Sequence, residues 1–152
     1  VLLTQVEFNA LIANSSKEIL EDITWVEDED HSPALEFRAE VRSDAGYPLF
    51  MRGSYNRIAE TLSFALIHRG AGRIYALDLG KDHHNPNCKR VGEKHKHCYS
   101  EQLGDREAYV PEDITTPVTD PVNVWKQFCA EASIIHKGNM KQPPPIQREL
   151  FL

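Results

Sequence analysis

The stretch LEFRAEVR, residues 35–42, alternates without a break. Successive side chains of a strand point to opposite faces, so Leu35, Phe37, Ala39 and Val41 share one face while Glu36, Arg38, Glu40 and Arg42 share the other. A strand patterned this way has one dry face and one wet face, which predicts an antiparallel sheet covered on one side. Three further runs, YPLFMRG, LSFALIHRG and RIYALDLG, are short, apolar or aromatic, and end in glycine. They predict a meander with turns near Ala45–Gly46, Arg57–Glu60 and Gly70–Gly72. ITWVED is a candidate strand ahead of them.

Helical signals flank the strands. In LLTQVEFNALIA, Thr4 and Glu7 have the spacing of a capping box and Leu3 and Phe8 that of a hydrophobic staple, predicting a helix from about Thr4 to Asn14. In DPVNVWKQFCAEASIIHKG, Asp120 is the expected N-cap and Pro121 the first helical residue. Val124, Trp125, Phe128, Cys129 and Ala132 follow at helical spacing, with Gly138 as terminator. Trp125 and Phe128 read as core anchors, because a helix needs such a stripe to pack. KQPPPIQREL can continue neither helix nor central strand. The expectation is a single α+β domain over residues 1–142. It has an antiparallel sheet of five or six strands, an N-terminal helix and a longer C-terminal helix packed on one face, followed by a Pro-rich extended tail at 143–152.

A chain of 152 residues suits one core, burying roughly two-thirds of the surface its unfolded form exposes. No apolar run approaches the roughly 20 residues of a membrane span, and VLLTQVEF is interrupted at Glu7 too early for a signal peptide. No membrane partner is expected, and cytoplasmic residence is the default. The three cysteines, Cys88, Cys98 and Cys129, are too sparse for a disulfide framework and suggest reduced thiols or partial metal ligation. A net charge of -6 argues against a general phosphate-binding surface. Locally, however, Lys81, Lys89, Arg90, Lys94 and Lys96 outnumber Asp82 and Glu93, which allows a basic patch on an acidic protein.

Residues 83–101, HHNPNCKRVGEKHKHCYSE, hold four of the seven histidines and two of the three cysteines. If KHKHCYSE continues the sheet, His95, His97, Tyr99 and Glu101 share one face and Lys94, Lys96 and Cys98 the other. Two histidines at i and i+2 can direct imidazoles at one metal ion, with His83 or His84 from the preceding loop, or the Glu101 carboxylate, completing an open site. The metal ligands expected are His83, His95, His97 and Glu101, with zinc or manganese as the divalent ion. Used without metal, the same groups offer acid-base chemistry at His95 and His97, oxyanion stabilisation by Lys and protonated His, and a hydrogen bond from Tyr99. Asp78, ahead of the His loop, is placed to orient an imidazole or to form the local turn. The plain alternative is an exposed polar face with a turn at Asn85–Pro86.

The order RIYALDLG, HHNP, HKHCYSE, GDREAYVPEDI resembles a family of small bacterial and phage or prophage proteins. Its pattern is an Arg-x-Asp strand, Gly, His-x-Asn-Pro, then His-x-His, an aromatic, Glu, and an Ala-containing segment leading to Pro. His83, Asn85 and Pro86 match the first motif, His95, His97, Tyr99 and Glu101 the second, and Ala108 and Pro111 the trailing segment. Here Arg73 lies five residues before Asp78, and NCKRVGEK stands where the pattern has a glycine-rich turn. The resemblance implies a shared His-rich site and a bacterial or phage origin. The functional expectation is a small hydrolase of phosphodiesters, RNA or a nucleotide, with His95 and His97 binding metal or exchanging protons, His83 assisting, and Glu101 as ligand or base. The alternative is a non-catalytic inhibitor module that binds a host protein, its His-rich hairpin stapled by metal.

Overall fold

A computed structural model of the chain describes residues 3–145. In chain order the elements are α1 (Gln5–Ala13), β1 (Lys17–Ile19), β2 (Val26–Glu27), β3 (Leu35–Val41), β4 (Leu49–Asn56), β5 (Thr61–His68), β6 (Gly72–Leu79), β7 (Lys94–Cys98), β8 (Ala108–Tyr109), α2 (Pro121–Glu131) and β9 (Ile134–His136). Strands β2 to β8 form one antiparallel sheet in sequential order, and β1 pairs with β9 in a separate parallel ribbon. The fold is α+β, as expected, but the main sheet has seven strands rather than five or six. The edge strands β2 and β8 are two residues each, too short to show a period in the sequence. Residues 146–152 of the expected tail lie outside the described residues, and residues 141–145 carry no regular structure.

The alternation in β3 places Leu35, Phe37 and Val41 in the core. Helix α2 covers that face: Trp125 meets Phe64 at 5.1 Å between ring centroids and Phe37 at 5.6 Å, and Phe128 meets Tyr75 at 5.4 Å. Both anchors are buried, each worth roughly 1.5–3 kcal/mol relative to exposure. Helix α1 packs elsewhere, with Phe8 against Tyr99 at 5.5 Å. Its capping box forms as read: Thr4 Oγ1 accepts from Glu7 N, and Glu7 Oε1 accepts from Thr4 N. At its other end the fully buried Lys17 donates to the carbonyls of Leu11, Ile12 and Asn14 at 2.7, 2.9 and 2.6 Å, answering acceptors that a helix end leaves open.

Helix α2 begins where predicted, with the Asp120 side chain accepting from Asn123 N, but it does not run to Gly138. Ser133 takes a positive φ of 56°, and the β-branched pair Ile134–Ile135 then enters β9 beside β1. Gly138 serves a different need: a Cβ there would lie 2.6 Å from the Glu21 carbonyl. Among the described residues no helix is long and apolar enough to cross a membrane.

Candidate metal centre

Strand β7 pairs with β6 so that His95 stands opposite Asp78 and His97 opposite Ala76, all on the face away from α2. Both imidazoles are buried. A long loop leaves β6 at Gly80, whose φ of +82° brings it so close to Glu60 that a Cβ would lie 2.2 Å from that residue's carbonyl oxygen. The loop returns through a hydrogen bond from Val91 N to His83 O, and Gly80 N donates to Glu93 O. Asn85 anchors it: its amide nitrogen donates to Ala108 O at 3.0 Å and its amide oxygen accepts from Ala108 N at 2.8 Å, as a neighbouring strand would. These two bonds tie the loop to β8. They hold His83 over β7, at ring-centroid distances of 4.6 Å from His97 and 5.3 Å from His95.

His83, His95 and His97 each offer a ligand atom, and the three atoms lie within 4.8 Å of one another. Each ring has its other nitrogen against a main-chain carbonyl: His95 Nδ1 at 2.9 Å from Gly92 O, His97 Nδ1 at 2.7 Å from Asp105 O, and His83 Nε2 at 2.9 Å from Arg106 O. A carbonyl only accepts, so those nitrogens carry the hydrogens and the opposite nitrogens turn inward. His95 Nε2 and His97 Nε2 then meet the same atom, Asp78 Oδ2, at 3.2 and 3.3 Å. Burial pushes the Asp78 carboxyl up, but a hydrogen bond from His97 when it is protonated, one from Ser63, and the charges of the protonated histidines outweigh it and hold it well below the usual carboxylate range. Burial draws the His95 imidazole below its ordinary value, against the Gly92 bond and the Asp78 charge. Two imidazole lone pairs facing one carboxylate oxygen repel one another unless a cation, a proton or a metal ion, is shared among them. Tetrahedral ligands about 2.0–2.2 Å from zinc are roughly 3.3–3.5 Å apart, close to the two distances here.

Around the cluster the sheet supplies further polar groups. Asp78 Oδ1 accepts from Ser63 Oγ at 2.6 Å, and Ser63 Oγ accepts from Lys81 Nζ at 3.1 Å. Arg73 should face away from Asp78 on a regular strand, because five residues separate them. The pairing slips instead: Leu66 pairs with Tyr75 and Ile67 with Arg73, leaving Ile74 as a bulge. Arg73 thereby joins the histidine face, with Nε 2.5 Å from Asp105 Oδ2 and Nη1 4.0 Å from Asp78 Oδ2. A cleft of about 640 Å³ opens over the cluster, bordered by Arg73, Lys81 and Arg106 as well as the histidines.

Two expected site residues stand apart. Tyr99 leaves the alternation just beyond β7 and is buried against Phe8, its hydroxyl donating to Leu3 O at 2.8 Å. Glu101 lies in the following turn and accepts from Gln5 N at 2.8 Å, so its carboxylate caps α1. His84 is exposed in the loop, making His83 the third imidazole. The basic patch is also smaller than its sequence suggests, since Arg90 pairs with Asp82 and Lys96 is buried on the opposite face. Asp78, anticipated as an orienting carboxylate, reaches both inward nitrogens directly. Arg73, Ser63 and Asp105 were not anticipated: the bulge and the cross-strand rows that place them have no spelling in a single sequence.

No curated protein and no solved structure gives a significant match to this chain. Residues 3–134 match the model of DUF6978, a family of unknown function, and the chain belongs to that family.

Proposed function

We propose that the protein is a small metal-dependent hydrolase of phosphodiesters, RNA or a nucleotide, with the centre formed by His83, His95, His97 and Asp78. The observation that carries this reading is the donor arrangement: three inward imidazole nitrogens lie within 4.8 Å of one another, Asp78 Oδ2 stands against two of them, and every outward ring nitrogen is fixed by a carbonyl. Metal-binding histidines are characteristically held by such outer hydrogen bonds. Mixed nitrogen and oxygen donors suit zinc or manganese, and a divalent ion held there would polarise a phosphoryl oxygen and make bound water more acidic. The chain's own contribution is orientation and charge. Arg73, Lys81 and Arg106 border the cleft, where they can pair with the anionic oxygens of a diester. Asp78 fixes the two β7 imidazoles, and Ser63 fixes Asp78.

The test starts with elemental analysis of untagged protein. Close to one equivalent of zinc or manganese is expected in the wild type and none in H95A/H97A. His97→Ala should then abolish cleavage of RNA or a nucleotide diester while leaving the metal-free melting temperature within a few degrees of wild type. No metal after supplementation, with RNA cleavage persisting in EDTA, would replace this reading with metal-free histidine catalysis. A metal whose removal unfolds the protein without any cleavage activity would instead support the non-catalytic module, a stapled hairpin facing a host protein in the bacterial or phage setting that the motif pattern implies.

A further inference from the structure

The sheet pairings set side chains in rows across the strands. One row runs Arg52 on β4, Ala65 on β5, Ala76 on β6 and His97 on β7. Ala65 and Ala76 are small, Ala76 is covered, and the Arg73 side chain stands between the Arg52 end and the histidine cluster, bordering both. A trough of about 540 Å³ lies over this part of the face, bordered by Arg52, Ser54, Ser63, Ala65 and Arg73. It adjoins the metal cleft through Arg73, which borders both.

The arginines of this region differ in how their charge is used. Arg38 lies 3.8 Å and Arg69 2.7 Å from Glu40, and Arg73 lies 2.5 Å from Asp105. Arg52 is exposed and forms no ion pair among the described residues. Two carboxylates also border the trough, but Asp28 is engaged by His31 at 3.0 Å, and Glu36 stands one row away, beside Ser54. The unpaired cation at this end is therefore the guanidinium of Arg52, with the Glu36 carboxylate one row away.

We infer that Arg52 is a second anion subsite for the same substrate, holding a flanking phosphate of a single nucleic-acid strand whose scissile diester lies at His83, His95 and His97. The inference rests on the hydrolase reading and narrows it from a nucleotide to an oligonucleotide. Three strand spacings of about 4.8 Å put the two ends of the row about 14 Å apart. That separation is several times the roughly 3.4 Å axial step between successive charges of one strand, so it spans more than one nucleotide. A mononucleotide cannot engage both ends.

The experiment uses metal-loaded full-length protein, a fluorescent single-stranded RNA hexanucleotide, and bis(4-nitrophenyl) phosphate as a substrate too short to reach Arg52. Arg52→Ala should lower the ratio of kcat/KM for the hexanucleotide to that for the small diester about tenfold, mainly through KM, and Arg52→Lys should restore part of the loss. In anisotropy titrations R52A should bind the hexanucleotide about tenfold more weakly, with a salt slope shallower by about one. Equal effects on both substrates, or hexanucleotide binding indifferent to Arg52, would overturn the subsite. If the wild type cleaves neither substrate yet binds the hexanucleotide through Arg52, the hydrolase reading falls and the subsite stands as a binding site.

Discussion

Strand β7 buries polar groups on both of its faces, and the two faces resolve that burial differently. On the α2 side, Lys96 is fully buried, with Asp113 and Glu131 each 2.6 Å from its ammonium and the Tyr75 hydroxyl at 3.2 Å. Three donor hydrogens meet three acceptors. Glu131 in turn accepts from the hydroxyls of Tyr75 and Tyr109. Burial pushes the Glu131 carboxyl up, but the hydrogen bonds it accepts, among them those from Lys96 and Tyr75, bring it down to about 2. On the other side, His95 and His97 turn their lone pairs toward one anionic oxygen beneath an open cleft. Burial and charge mark both faces. Donor and acceptor accounting separates them: the closed set is a strut, and the unmatched set is the candidate site.

The largest expected effect on stability tests the strut. Lys96→Ala would leave Asp113 and Glu131 facing each other without their cation and should cost about 3 kcal/mol, since breaking a buried pair is far worse than never having built it. Urea unfolding of the metal-free protein measures this, and a loss below about 1 kcal/mol would mean that Lys96 is not the strut described. Its contrast is the loop clamp. Asn85→Ala removes both bonds to Ala108 and should weaken zinc binding about tenfold, as loss of outer support does at metal sites, with a stability loss of about 1–2 kcal/mol. Unchanged affinity in a competition titration would show that His83 is held without Asn85.

The smallest effect concerns a third buried polar group, Lys17, which contacts carbonyls alone. Burial lowers its ammonium to about 8 from 10.5. Between those values the unfolded chain still binds a proton that the folded chain has released, so stability attributable to Lys17 rises with pH across that window. The stability of the wild type relative to Lys17→Met should therefore rise from pH 8 to pH 10.5. Urea melts at the two pH values decide it, and a difference that shrinks would show that the three carbonyls hold the proton more firmly than burial releases it.

Much of the scaffold was legible in the sequence because periodicity reports directly on which face is dry. The alternation of β3, the turns of the meander, the Thr4–Glu7 box and the Asp120–Pro121 helix start all encode local geometry, and all are found. The end of α2 was hidden because an apolar run such as Ser133–Ile135 fits a helix face as well as a strand. Parallel pairing of β9 with β1, across more than a hundred residues, leaves no local mark. In the candidate site, His83, His95 and His97 were visible as a cluster of unusual residues. Tyr99 and Glu101 were assigned to the same face by extending the strand period past Cys98, where β7 ends. Asp78 was visible as a neighbour of the histidine loop, but its register opposite His95 was not.

The alternation within KHKHC also carries a safeguard against misfolding. A slip of β7 by one residue against β6 would turn both imidazoles into the aromatic layer beneath α2 and bring the Lys96 ammonium into the cleft beside Arg73. The shift would strip Lys96 from Asp113 and Glu131 and both imidazoles from their carbonyl partners, so correct and shifted pairings differ by two penalties rather than one. The salt-bridged lysine between the two histidines thus gives the hairpin a parity check, one that rejects the wrong alignment from the side chains alone.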